Sequence, residues 1–131
     1  MHGDLFRDNV LFDDATPSGV IDFYYAAHES FIYDLAVAFA DWCFVGDGWS
    51  RERGHALLDA YRGERVIETR EIEAWPCALR AAGLRFWLSR LQDALYPKPG
   101  GMVLIKNPAQ CRAVILAARR EPARLGACWG G

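Results

Sequence analysis

The chain has 131 residues, 52% of them hydrophobic and 24% charged, with a formal net charge of −2. That size suits one domain with a buried core, and the balance is that of an ordinary globular protein rather than a disordered or fibrous one. The charge supplies no general attraction to nucleic acid or to an anionic membrane, no apolar run is long enough to span a bilayer, and the first residues lack the basic-then-apolar layout of a signal peptide, so a cytoplasmic protein with neither kind of partner is expected.

Residues 9–12 and 19–23 are short apolar runs on either side of Asp13-Asp14-Ala15-Thr16-Pro17-Ser18, a stretch dense in turn formers. The pattern predicts a β-hairpin whose two ends bring Asn9 and Asp22 near one another. Asp34 is expected to cap a helix with Leu35, Ala38, Phe39, Trp42 and Cys43 as its buried face. Gly46-Asp47-Gly48 breaks that helix, and Ser50 caps a second one running to about Arg62, with Leu57, Leu58 and Tyr61 as its apolar side and Gly63 as its stop.

Thr69 opens a short helical segment that Pro76 interrupts, and Pro76 then starts a new helix to about Tyr96. Leu84, Trp87, Leu88, Leu91 and Leu95 recur along it at helical spacing, which marks it as the central packing helix. Residues 97–101 end it and 102–105 are too few to assign. Asn107-Pro108-Ala109-Gln110 begins a last helix with Cys111, Val114, Ile115 and Ala118 on one face. Beyond Arg120 no periodicity remains, so a domain over 1–120 with a frayed tail over 121–131 is expected. The fold class is mainly α with a small β-hairpin. Cys43, Cys77, Cys111 and Cys128 stand far apart with no CxxC pair, which reads as reduced, mostly buried thiols rather than a zinc or redox site.

The chemistry gathers at the front, in His2-Gly3-Asp4-Leu5-Phe6-Arg7-Asp8-Asn9 and Ile21-Asp22-Phe23. An aspartate, an asparagine five positions on and an aspartate thirteen beyond that form the spacing with which kinase-type folds set a hydroxyl-orienting carboxylate beside two metal ligands. Asp4 suits the first role, because a carboxylate accepts the hydrogen bond of an attacking hydroxyl. Asn9 and Asp22 offer the hard oxygens that Mg²⁺ prefers, and His2 would steady the loop. An Asp-x4-Asn spacing alone is cheap, and an aspartate in a turn is usually solvated or capping. The His-Gly-Asp-Leu run, the asparagine, a hairpin-compatible interval and a strand ending in Asp-Phe together point to a phosphoryl-transfer site.

On these residues the chain resembles the C-terminal lobe of the aminoglycoside phosphotransferase/choline kinase superfamily, and within it the homoserine kinase type. The narrower likeness adds Asp41-Trp42-Cys43, Leu84-Arg85-Phe86-Trp87-Leu88-Ser89-Arg90-Leu91 and Lys106-Asn107-Pro108. The resemblance implies the C-terminal lobe of a protein-kinase-like fold, with ATP and Mg²⁺ as cofactors, Asp4 as catalytic residue, and Asn9 and Asp22 on the metal. It also implies that Asp34, in Asp34-Leu35-Ala36, braces the catalytic loop, although helix capping alone would explain it. The acceptor would be the hydroxyl of L-homoserine, with an aminoglycoside, a choline-like alcohol or a sugar as alternatives.

A homoserine pocket needs a cation for the carboxylate, for which Arg85 and Arg90 are candidates, and an acid for the ammonium, for which Asp41 is one. Five residues apart on a helix, the two arginines point about 140° from each other, so both cannot line one pocket equally. Either could instead be solvated or paired within the fold, and Phe86 and Trp87 read as core. The resemblance further implies an N-terminal lobe with a strand-borne lysine to hold the ATP phosphates. Lys98 and Lys106, both after the long helix, do not fit that part. The chain by itself is therefore expected to be weakly active or inactive, and a catalytically dead scaffold lobe that self-associates through the face left by the missing lobe is the other reading.

Overall fold

A computed structural model describes residues 1–46, 48–96 and 107–130. The expected stop at 97–101, the unassigned 102–105, Asp47, Lys98 and Lys106 lie outside the described residues. The chain is mainly helical with a small antiparallel hairpin at its front. Among the described residues no helix is long and apolar enough to cross a membrane.

The hairpin pairs β1 (Val10–Asp13) with β2 (Thr16–Val20). Asp14 turns the chain at φ 51°, a left-handed conformation that a short polar side chain tolerates. The turn is tighter than the sequence suggests, since Thr16, Pro17 and Ser18 belong to the second strand. Pro17 costs no ladder bond that a two-stranded sheet cannot spare at its edge. The second strand also stops earlier than expected, at Val20. Asp22 stands at φ 63°, ψ 60°, and Phe23–Tyr25 continues as a 3₁₀ turn.

Helix α1 (Phe31–Trp42) is buried from Ile32 and then from Leu35 through Asp41, so it is enclosed on every side. The long helix after Pro76 packs against it and against the two helices that follow, which keeps that helix the central packing element. Its first turn begins at Phe31 rather than at Asp34, whose carboxylate is drawn away to the front loop. Phe39, fully buried, meets the edge of Trp75 at 5.1 Å between ring centroids. A two-residue-strand hairpin, β3 (Phe44–Val45) with β4 (Gly48–Trp49), leads to α2 (Arg51–Glu64), where the Ser50 hydroxyl accepts from the Arg53 N–H as its cap. Leu58 is its fully buried residue, flanked by the partly buried Leu57 and Tyr61.

Helix α3 (Thr69–Leu95) runs unbroken through Pro76. Burial on both sides of the proline outweighs the lost hydrogen bond, since Trp75 and Leu79 are fully enclosed. The face it buries is Trp75, Ala78, Leu79, Ala82 and Gly83, while Leu84, Leu88 and Leu95 are exposed. Small residues let α4 (Pro108–Arg120) approach closely. A Cβ on Gly83 would lie 2.9 Å from Ile115 Cγ1 and 3.2 Å from the Cys111 carbonyl oxygen. Asn107 caps α4, its side chain accepting from the Ala109 N–H at 2.8 Å, and Cys111, Val114 and Ala118 are its buried face.

After Arg120 the described residues, up to Gly130, carry further secondary structure. A short helix α5 (Pro122–Gly126) and a 3₁₀ turn place Leu125, Cys128 and Trp129 in the core, with Trp129 edge-on to Trp75 at 5.2 Å. Large side chains at irregular spacing supply burial without periodicity, which is why the pattern hides it. Of the four cysteines, Cys43, Cys111 and Cys128 are buried and Cys77 is exposed. Burial pushes the Cys43 thiol up to about 12.

The start of α3 carries a pH-sensitive clasp. Glu71, at the third helical position, accepts from the Glu68 N–H at 3.0 Å and from Arg65 Nη2 at 2.8 Å. The Arg65 hydrogen bond, with the Glu68 N–H in support and against the cost of burial, holds its carboxyl below the usual 4.5. A lowered folded-state value means stabilisation that is complete above 4.5 and lost as pH falls through the folded value. The urea midpoint is expected to drop as the medium is acidified below 4.5, and Glu71→Gln to flatten part of that drop. An identical acid slope in wild type and variant would contradict the assignment.

Candidate active site

The loop from His2 to Asn9 lies against α1 and α3 and is held at nearly every residue. Both oxygens of the Asp34 carboxylate accept backbone N–H groups, Oδ2 from His2 at 3.0 Å and Oδ1 from Gly3 at 2.7 Å. His2 is buried, its Nε2 2.9 Å from the Ile21 carbonyl oxygen and its Nδ1 3.2 Å from the Asp4 N–H. A carbonyl only accepts and an amide N–H only donates, so Nε2 carries the proton and Nδ1 is bare. His2 thereby ties the front loop to the residue that follows the second strand, at the base of the hairpin.

Gly3 is required by its backbone and by its surroundings. Its φ is +81°, and a Cβ there would sit 2.8 Å from the Tyr25 carbonyl oxygen. The Gly3 carbonyl accepts from Arg85 Nη1 at 2.6 Å, and the Arg85 guanidinium lies 4.7 and 4.6 Å from the centroids of the Tyr25 and Phe86 rings. The Leu5 carbonyl accepts from Trp42 Nε1 at 3.1 Å. Asp41 Oδ2 takes both the backbone N–H and the Nε–H of Arg7, at 2.9 and 3.0 Å. Phe6 is buried, 4.5 Å from the Phe86 ring.

Asp4 and Asn9 meet at the base of the hairpin, where the residue before Asp22 pairs with Asn9. The Asn9 amide nitrogen donates to the Asp4 carbonyl at 2.8 Å and reaches Asp4 Oδ2 at 3.5 Å, which leaves the amide oxygen as the atom that can face a cation. The Ile21 N–H donates to the Asn9 carbonyl at 3.0 Å, so Asp22 follows directly on the residue that pairs with Asn9. Among the described residues no group of three or more His, Cys, Asp or Glu side chains gathers for a metal. What the site offers is one carboxylate and one amide oxygen, a sparse set of hard donors that fits Mg²⁺, which keeps most of its shell for water and phosphate.

Two of the residues expected to bind substrate also hydrogen-bond to the loop. Arg85 props Gly3, and Asp41 holds Arg7. Arg90 is buried on another side of α3, donating to the Asn107 carbonyl at 3.2 Å with its guanidinium 5.7 Å from the Phe6 ring centroid. It shares with Asp41 a cavity of about 10 Å³, on the order of what one water needs. Sequence reasoning missed Arg7 and Trp42 as loop holders. The available signal was that Asp34 and Asp41 stand seven residues apart, two turns and hence one face, in an otherwise apolar helix.

With this loop and hairpin in view, a model of the phosphotransferase enzyme family matches residues 1–68. The chain belongs to the phosphotransferase enzyme family. Within that family it is similar to homoserine kinase of Methylobacillus glycogenes, 46% identical over 126 residues, covering 92% of this chain and 39% of that protein. It is similar to homoserine kinase of Neisseria meningitidis, 43% identical over 118 residues, covering 89% of this chain and 39% of that protein. It is also similar to homoserine kinase of Rhizobium meliloti, 41% identical over 135 residues, covering 94% and 41% respectively. The chain thus spans about two fifths of the length of the curated relatives it matches. The phosphotransferase segment matched by the family model ends near the start of α3, and contains Asp4, Asn9 and Asp22.

Proposed function

We propose that this chain is the acceptor-positioning and metal-holding part of an ATP-dependent kinase that phosphorylates the hydroxyl of L-homoserine. The observation that carries the reading is the Asp4–Asn9 contact at the base of the hairpin, held beside Asp22 by the Ile21–Asn9 hydrogen bond. The similarity to homoserine kinases over most of this chain supports the choice of acceptor.

In this reading Asp4 accepts the hydrogen bond of the acceptor hydroxyl and keeps its oxygen aimed at the γ-phosphoryl group. The amide oxygen of Asn9 and the carboxylate of Asp22 would hold Mg²⁺, which when bound neutralises charge on the phosphates. His2, Asp34, Asp41, Trp42 and Arg85 act on the loop rather than on substrate, fixing its backbone so that Asp4 does not have to be ordered during the reaction.

The metal half has its own test. Mn²⁺ added to the 131-residue chain as a stand-in for Mg²⁺ is expected to broaden the amide resonances of Asn9, Ile21 and Asp22 first, with Mg²⁺ reversing the effect. Asp22→Asn keeps a short polar residue at the left-handed position but removes the charge, and should abolish the selective broadening. Broadening centred elsewhere, or unchanged in the variant, would contradict the site.

A further inference from the structure

The leucines that periodicity marks as the core of α3 lie on its outside, and their arrangement has a logic of its own. Ala74, Cys77, Ala81, Leu84, Leu88, Leu91 and Leu95 alternate at spacings of three and four along the helix, the seam of a coiled coil sustained over three heptads. Six of the seven are exposed and Leu91 is half-buried. Leu84, Leu88 and Leu95 show 46, 55 and 69% of their surface. Among the described residues, none of the seven belongs to the buried core cluster. Contiguous apolar surface of this kind marks an interaction site.

The seam is graded: its first three residues are small and its last four are leucines. A parallel partner would set small against small and large against large. An antiparallel copy in the usual a-to-d register sets Ala74 against Leu91, Cys77 against Leu88 and Ala81 against Leu84, so that every layer joins one small and one large side chain. The two-fold axis then falls between Ala81 and Leu84, and each contact occurs twice, as an isologous interface demands. The same register brings the exposed Arg80 of one copy to the half-buried Trp87 of the other, a cation–π pair on the seam's flank.

We infer that the outer face of α3 is a two-fold interface between two copies of this chain, paired antiparallel through residues 74–91. One helix wide and about 26 Å long at 1.5 Å per residue, it falls at the small end of specific interfaces, so a weak dimer is expected, with a dissociation constant of roughly 10–100 μM. The surface is separate from the Asp4, Asn9 and Asp22 cluster and does not depend on the kinase reading.

Sedimentation velocity on the 131-residue chain from low micromolar to 500 μM decides it. Wild type should pass from monomer to dimer. Leu88→Glu should weaken the dimer by at least about 100-fold, because the two-fold puts two charges against apolar partners, and circular dichroism should be unaltered since Leu88 is exposed. Tyr24→Ser, on the exposed aromatic turn after the hairpin, should leave the dimer intact. Under mild oxidation Leu88→Cys should give a covalent dimer through Cys77 of the other copy, whereas wild-type Cys77 residues, about 16 Å apart along the seam in this register, should not link. A chain that stays monomeric at 500 μM, a dimer indifferent to Leu88→Glu or abolished by Tyr24→Ser, or a Cys77–Cys77 link in wild type would overturn the inference.

Discussion

Asp4→Ala is expected to lower the turnover of homoserine phosphorylation by about 10²–10⁴-fold, the range lost when a positioned acid–base group is removed. The assay places this chain, with and without the substitution, in the homoserine kinase of Methylobacillus glycogenes in place of the segment it matches. The loss should fall on kcat, with the KM for ATP little changed, because Asp4 faces the acceptor hydroxyl in the proposed arrangement and Asn9 and Asp22 still hold the metal. Thermal stability should change little by comparison. The loop backbone is fixed by Asp34, Arg85, Trp42 and Asp41, none of whose bonds to it use the Asp4 side chain. A variant that turns over at the wild-type rate would remove Asp4 from the reaction.

Asp34→Ala is expected to cost about 2–4 kcal/mol of folding stability, at one to two for each of the two N–H groups it leaves in a part-buried place without an acceptor. Gly3 stands at φ +81° against the Tyr25 carbonyl, so the loop has little freedom to find other partners. Asp34→Asn retains one acceptor oxygen and should lose roughly half as much, since its amide nitrogen cannot accept the second N–H. Urea unfolding of the three proteins measures this order. Equal stability of wild type and Asp34→Ala would mean that the carboxylate does not hold the loop.

The hairpin, α1, α2 and α4 were legible because each rests on a local signal: turn formers between apolar runs, a serine or asparagine cap, a stripe at helical spacing. The long helix was misjudged for a physical reason. Periodicity weighted by side-chain size selects Leu84, Leu88, Leu91 and Leu95, yet close helix packing uses Ala78, Ala82 and Gly83, whose value lies in how little space they take. Pro76 was read as a boundary because a local rule cannot see that Trp75 and Leu79 are buried on either side of it.

At the candidate site the motif is readable in the sequence and its support is not. Asp4, Asn9 and Asp22 follow a spacing, whereas the partnerships of Arg85 with Gly3 and Asp41 with Arg7 join positions 82 and 34 residues apart. Those pairings give Arg85 and Asp41, two of the three candidates for substrate, a hydrogen bond to the front loop. They also place Asp34 and Asp41 on the same task two turns apart, one at each end of the loop.

The central claim is that this chain supplies the acceptor side of a homoserine kinase. Its most direct test is the initial rate of ATP-dependent phosphorylation by the transplanted protein with homoserine, choline, an aminoglycoside and a sugar compared side by side. Homoserine should give the highest kcat/KM, with the phosphate recovered on its hydroxyl. Turnover that does not depend on homoserine, or a clear preference for another alcohol, would contradict the account.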